Sequence, residues 1–247
     1  RIHSGRKIPW NLFSPKVPFL ATLVPNHRAQ GWQNGTHITL SHHGKVPFLE
    51  GQSIGVMAKG CGLRLYPISS SRVGDDQRSK TLSLYVESPG DCFSNLKVGD
   101  KLNITGPVGT EMLLPADPHA TLILVATEHA VAPFRGQLRW LFHDRVGKGH
   151  FKGLAWLFVG GISLPYDEEF RALEQTSPTF RYLGIRAVSD EALTLAVQRQ
   201  MKDYSDELWR LLQSEKSHLY ISGKGLEEAT SEFFQDVAAV PQNWIQL

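Results

Sequence analysis

The first residues whose types and spacing bear on chemistry are Ala126-Thr-Glu-His-Ala-Val-Ala-Pro-Phe-Arg135. The apolar run at 120–125 before them has the composition of a buried strand, and the pattern over 133–145 after them is helical. A strand that turns into a helix points backbone N–H groups at one spot, a geometry suited to phosphate. Such turns are built of glycine, because a Cβ holds the phosphates away from the backbone. This turn has none. Ala126, Glu128 and Ala130 occupy it, and Glu128 brings a carboxylate. Two like unit charges about 4 Å apart repel by about 4 kcal/mol at the effective dielectric near a protein surface. Half of that weakens binding about thirtyfold.

A second constellation lies upstream. Arg64 and Tyr66 alternate on a short strand pattern, followed by Ser69, Ser70 and Ser71. A guanidinium forks onto phosphate oxygens, and a flat phenol offers apolar area with a polar tip. On residue types alone, the pair equally suits a surface ion pair beside a packed aromatic. The ten histidines do not read as a metal site. His42 and His43 are adjacent in an expected hairpin turn, where neighbouring side chains point apart, so both read as solvated or lightly bonded. His129 reads as a satisfied loop histidine or a partner of Glu128. Cys61 and Cys92 form neither a disulfide framework nor a zinc motif.

The elements that must position these residues change character midway. Through residue 115 the chain alternates polar and apolar in short runs such as Thr36-His-Ile-Thr-Leu-Ser41 and Lys80-Thr-Leu-Ser-Leu-Tyr-Val86, punctuated by glycines. After that, buried-strand patterns at 121–126, 154–159, 181–186 and 218–222 alternate with helical ones at 133–145, 167–175, 203–213 and 226–238. The expected organisation is a basic arm over 1–16, an antiparallel β-barrel over 17–115 and an α/β parallel-sheet domain over 116–247. The arm holds Arg1, Arg6, Lys7 and Lys16 with no acid and reads as solvated, with a membrane or partner tether as the alternative. The chain opens on Arg1 rather than Met, so a segment upstream of it is expected. With 247 residues, 41 % of them hydrophobic, 20 % charged and a net charge of +2, the chain can bury a core and does not suit nucleic acid. No apolar run approaches the ~20 residues of a membrane span, which leaves peripheral association open.

Several stretches in collinear order carry a resemblance. "RLYPISSS" (64–71), "HITLSHHGKVPFLEGQSIGV" (37–56), "LKVGDKLNITGPVGTEMLLP" (96–115), "APFRGQLRWLF" (132–142), "FKGLAWLFVGG" (151–161) and "DELWRLLQ" (206–213) resemble the plant-type ferredoxin–NADP reductases over nearly the whole chain. The resemblance implies a barrel that holds FAD followed by an α/β domain that holds NADP(H), with ferredoxin as partner and a plastid location. It implies that Tyr66 stacks on the isoalloxazine and that Arg64 pairs with the FAD pyrophosphate. Ser69, Ser70 and Ser71 would donate to the flavin or its phosphates, and Ser94 and Cys92 would stand at the pyrophosphate-binding backbone.

The chain departs from that family where ligands would sit. Ala126, Glu128 and Ala130 replace the three glycines of its phosphate turn. At the pocket for the NADP 2′-phosphate Ser189 remains, but Asp190 replaces an arginine. A pocket that selects a 2′-phosphate needs cations. The serine beside the stacking tyrosine becomes Pro67, without hydroxyl or N–H, and a cysteine of the hydride-transfer site becomes Ser222. The loop at 87–95 is short, and the chain stops at Leu247 before the family's aromatic tail. These changes argue for FAD at most, against NADP, and for a non-catalytic subunit of a larger plastid assembly with other protein subunits as partners. The alternative is an active FAD-dependent oxidoreductase passing electrons between ferredoxin and NADP(H).

Overall fold

The structure is a computed structural model that describes residues 2–3, 6–25, 31–32, 35–58, 60, 62–87, 93, 95–226, 230 and 245–246. It divides into two units, one of Arg1–Leu114 with Ala132–Val146 and the other of Pro115–Val131 with Gly147–Leu247. The break after Leu114 lies beside the boundary read in the sequence. The segment 132–146 is the difference: it packs with the first unit.

In the first unit, β1 (Ile2–His3) and β2 (Arg6–Lys7) form a short antiparallel pair. The main sheet holds β3 (Phe19–Val24), β4 (Gly31–Trp32), β5 (Gly35–Ser41), β6 (Ser53–Ala58), β7 (Gly62–Pro67), β8 (Thr81–Glu87) and β9 (Lys101–Val108). Its order is β4-β5-β3-β9-β6-β7, and β8 also pairs with β5. One bridge between Ile68 and Leu84 brings the end of β7 to β8, so the sheet curls into a near-barrel with an open seam. Leu40, Ile54, Val56, Ile68, Leu82, Leu84 and Ile104 fill its core. The polar face of β5 is covered as well: Thr39 bonds Ser83, and His37 Nε2 lies 2.9 Å from Asp75.

Two expectations for this unit are corrected. The arm is not solvated throughout. Ile8 is buried, the Pro9 carbonyl accepts the Gln52 amide, and Asn11 and Phe13 donate backbone N–H groups to Pro107 and Gly106. Apolar Ile8 and Phe13 gain more from the barrel than the basic residues around them gain from water. His42 is likewise buried, with its ring edge-on to Phe48 and Nδ1 accepting the Val46 N–H. Burial lowers its pKa below the ordinary imidazole value.

Helix α1 (Ala132–Leu138) runs into a π turn at Arg139–His143. It belongs with the barrel because Arg135 donates to the Ser69 carbonyl at 2.9 Å, and both Arg135 and Arg139 reach Asp75. Gly136 permits that approach: a Cβ there would lie 2.6 Å from the Ser70 carbonyl oxygen.

The second unit is a parallel sheet of β10 (Thr121–Thr127), β11 (Leu154–Gly161), β12 (Phe180–Arg186), β13 (Ser217–Ser222) and β14 (Ile245–Gln246), in the order β12-β11-β10-β13-β14. The four strands read from the sequence agree with β10 to β13 within two residues. α2 (Arg145–His150) crosses the division between units, and α3 (Asp167–Thr176), α4 (Asp190–Asp203) and α5 (Ser205–Leu212) follow. Leu208 and Leu212 of α5 are buried, with Tyr204 and Leu211 packed on the same cluster, which is the stripe its spacing predicts. Helix α4 was not expected. The expected helix over 226–238 lies outside the described residues apart from Leu226 and Thr230, as do Cys61 and Cys92.

Candidate functional site

In the first unit, pairing places Arg64 opposite Val56 and Tyr66 opposite Ile54. Directly paired residues share a face, and Val56 and Ile54 face the core, so Arg64 and Tyr66 line the inner side of β7 beside the open seam. Arg64 is exposed and has no ion-pair partner among the described residues. Tyr66 is half-buried, edge-on to Phe93 with ring centroids 5.6 Å apart. Leu63 and Leu65 take the outer face. Pro67 closes the strand opposite Ser53 and is exposed.

Ser69, Ser70 and Ser71 follow and are fully buried. The Ser70 hydroxyl accepts the Ser83 N–H at 3.1 Å, whereas the Ser69 hydroxyl has no partner among the described residues. A carboxylate network fixes the segment. Asp75 accepts the Ser83 hydroxyl at 2.7 Å and the guanidinium of Arg135, with His37 and Arg139 adjacent. Burial by itself would raise the Asp75 carboxyl, but Arg135, the bond to His37 and Arg139 outweigh it and hold it well below the usual carboxylate range. Ser94 lies outside the described residues.

In the second unit, β10 ends at Thr127 and a single 3₁₀ turn spans Glu128–Ala130. Ala126 is fully buried between Val159 of β11 and Ser222 of β13, and Ala130 is half-buried. Glu128 does not project outward, as the sequence suggested. It is fully buried, and one carboxylate oxygen accepts the Ser163 N–H at 2.6 Å and the Ser163 hydroxyl at 3.1 Å. The other oxygen lies 3.3 Å from His129 Nε2. Gly161 makes room: a Cβ there would come within 2.6 Å of the Glu128 side chain.

The stretch read as the 2′-phosphate pocket is the start of α4. Ser189 is its N-cap, accepting the Ala192 N–H at 3.3 Å, and Asp190 is its first residue. Ser222 ends β13 beside Ala126. The structure thus brings Ala126, Glu128, Ala130 and Ser222 together at the carboxyl ends of β10 and β13. Sequence reasoning missed Ser163 and Gly161, 35 and 33 positions from Glu128, where no local spacing signals a contact. It also missed Asp75, one of two adjacent acids in a turn. Among the described residues no group of His, Cys, Asp and Glu could hold a metal ion.

No family model matches the sequence. Curated relatives do. The cyanelle ferredoxin–NADP reductase of Cyanophora paradoxa is 37 % identical over 263 residues, covering 94 % of this chain and 72 % of the relative. Root isozyme 1, the chloroplastic ferredoxin–NADP reductase of Arabidopsis thaliana, is 40 % identical over 276 residues, covering 96 % and 73 %. Among solved structures, a ferredoxin–NADP+ reductase of Plasmodium falciparum matches with a TM-score of 0.83 at 21 % identity, over 96 % of this chain and 98 % of its own. That likeness gives the fold as an antiparallel barrel of the FAD-binding type followed by an α/β domain of the NADP-binding type. With matches of this identity extending over more than two thirds of such reductases, the chain belongs to the ferredoxin–NADP reductase family.

Proposed function

We propose that this chain keeps the flavin half of the family's architecture, has given up the pyridine-nucleotide half, and acts as a non-catalytic binding subunit of a larger plastid assembly. The observation that carries the reading is Glu128. A dinucleotide seated on this turn would have to displace a buried carboxylate from Ser163 and then bring phosphates against it, and both steps are unfavourable. NADP(H) therefore does not fit the second unit. Asp190 at the start of α4, in place of a cation, supports the same reading.

FAD fits the first unit. Arg64 offers an exposed guanidinium for the pyrophosphate, Tyr66 a flat face for the ring, and the Ser69 hydroxyl is a buried group in want of a partner. FAD, when bound, supplies a carrier that exchanges electrons singly or in pairs. The protein's own part is to hold the ring on Tyr66, and Pro67 beside it offers no proton to the flavin. The plastid location rests on the chloroplastic and cyanelle relatives.

Those relatives' names favour a second reading, an active FAD-dependent oxidoreductase between ferredoxin and NADP(H). Calorimetric titration of the purified, flavin-loaded protein with NADPH separates the two. No binding at millimolar NADPH is expected, with recovery in the Glu128→Gly, Asp190→Arg double variant. Tight binding by the unaltered protein overturns the proposal, and flavin absorbance of the same sample reports the first unit independently.

A further inference from the structure

The open seam of the first unit leaves one side of β7 without a strand. The Ile68 N–H donates to the Gln52 carbonyl at 3.0 Å, on the side of β6, and the next N–H, that of Ser69, donates across the seam to the Ser83 carbonyl at 2.8 Å. Backbone groups of successive residues point to opposite sides of an antiparallel strand. Even-numbered residues of β7 therefore bond β6. The N–H and C=O groups of Leu63 and Leu65, with the C=O of Pro67, point at the open edge. Among the described residues no strand pairs with that edge before Ile68.

An exposed edge of this kind is a template for another strand. Its side chains are exposed as well, Leu65 at 62 %. On the outer face Leu20 pairs with Asn103, Asn103 with Met57 and Met57 with Leu63, a largely apolar row that runs out at the edge.

The strand is also its own complement. When two copies of β7 run antiparallel about Leu65, that residue stands opposite the partner's Leu65, Leu63 opposite the partner's Pro67, and Arg64 opposite the partner's Tyr66. Opposed residues share a face. The leucines and prolines extend the outer apolar row, while on the inner face each guanidinium meets a phenol ring as a cation–π pair. The two Leu65 residues exchange N–H and C=O, and the Leu63 N–H reaches the partner's Pro67 carbonyl, so the N–H that proline lacks is not needed. A register centred on Arg64 opposes two guanidiniums. One centred on Tyr66 sets Leu63 against the partner's Ser69, whose N–H is already given to Ser83.

We propose that β7 is a self-association edge, through which two copies of this chain form a two-fold dimer centred on Leu65 that FAD excludes. The antagonism rests on the reading that Arg64 and Tyr66 hold the flavin, since one guanidinium and one ring cannot serve both uses. A single strand from each copy makes a small contact, so the dimer is of the transient class.

Sedimentation velocity of the full chain, stripped of flavin and again with saturating FAD, tests this over ~1 to ~100 μM. A concentration-dependent dimer is expected without FAD, and FAD is expected to weaken it at least about tenfold. Leu65→Lys sets two ammonium groups against each other and is expected to weaken the flavin-free dimer by about tenfold or more, with Tm and FAD binding unchanged. In a Cys61→Ser, Cys92→Ser background, Leu65→Cys is expected to cross-link on oxidation, because opposed hydrogen-bonded residues have Cα atoms about 5.5 Å apart, within disulfide reach. Leu63→Cys, roughly 14 Å from its counterpart in this register, is not. A monomer at every concentration without FAD overturns the proposal, as do a dimer indifferent to Leu65→Lys, equal cross-linking at both positions, and a dimer that persists with FAD bound. Flavin absorbance of the same samples separates the two readings. FAD binding with no dimer in its absence refutes the self-pairing alone. A Leu65-dependent dimer of a chain that binds no FAD keeps the self-pairing and refutes the flavin reading with the antagonism built on it.

Discussion

The Glu128 carboxylate and the Ser163 backbone N–H meet at 2.6 Å, and the Ser163 hydroxyl adds a second donor to the same oxygen. A turn that receives phosphate needs donors and an open space. Here both Ser163 donors, just past the end of β11, are met by a side chain of the turn itself. Charge repulsion alone would leave the cradle shaped for a dinucleotide but hostile to it. On the reading proposed above, occupation excludes the dinucleotide as well. The buried charge is tolerable because it is hydrogen-bonded.

Removing the plug should therefore leave an orphaned donor that a small anion can satisfy. Glu128→Ala is expected to lower stability by about 2 kcal/mol, the order of an unsatisfied buried N–H plus lost packing. Acetate should restore part of that loss, raising the variant's Tm more than the unaltered protein's at matched ionic strength. Equal responses in a thermal melt would mean that Glu128 is not an internal ligand.

Gly161 and Glu128 should be energetically coupled. A methyl group on Gly161 would lie 2.6 Å from the carboxylate-bearing side chain, so Gly161→Ala is expected to cost about 1–3 kcal/mol. In the Glu128→Gly background, which also removes the Cβ 2.6 Å away, the same change should be nearly neutral. A double-mutant cycle by urea denaturation reads the coupling, expected to exceed about 1 kcal/mol. Additive costs would show that the contact does not constrain the turn.

How much of this was legible in the sequence depends on the range of the interaction. The strands of the α/β unit could be read because parallel strands buried on both faces are apolar runs, as in Leu154–Gly161. The stripe of α5 could be read because 3.6-residue periodicity is local. Helix α4 does carry local signals, Ser189 as N-cap and Leu193, Val197 and Met201 at helical spacing on the buried face, but the same residues also suit a loop that meets a phosphate. Nothing local could show that Glu128 turns inward, since its partner lies 35 residues on. Nor could spacing show that α1 belongs with the barrel, a consequence of Arg135 and Arg139 converging on Asp75.

That convergence predicts an acid-sensitive first unit. The folded Asp75 carboxyl is held well below its ordinary value, so the unfolded chain binds its proton first as pH falls. The stability it contributes is fully present above about pH 4, the ordinary carboxylate value, and is lost as pH drops through the lower folded value. Asp75→Asn is expected to cost about 2 kcal/mol at neutral pH, discounted from the fully buried case because one side of the carboxylate meets solvent. The variant and unaltered protein should converge in stability as pH falls below 4, followed by urea denaturation across pH. Parallel curves would place the low pKa elsewhere.

Arg64 separates a ligand-binding role from a structural one. Its guanidinium is exposed on β7 without an ion-pair partner among the described residues, so folding gains little from its charge. Arg64→Glu should leave the Tm of flavin-free protein within about a degree, as surface substitutions away from packed contacts do. If the guanidinium meets the FAD pyrophosphate, the same change exchanges a charge-assisted bond for repulsion, and flavin affinity should fall by tenfold or more. Flavin fluorescence on titration into the apoprotein measures the second effect and a thermal melt the first. A variant that loses Tm and flavin together would make Arg64 part of the barrel's own framework. One that binds flavin as tightly as before would move the pyrophosphate away from β7.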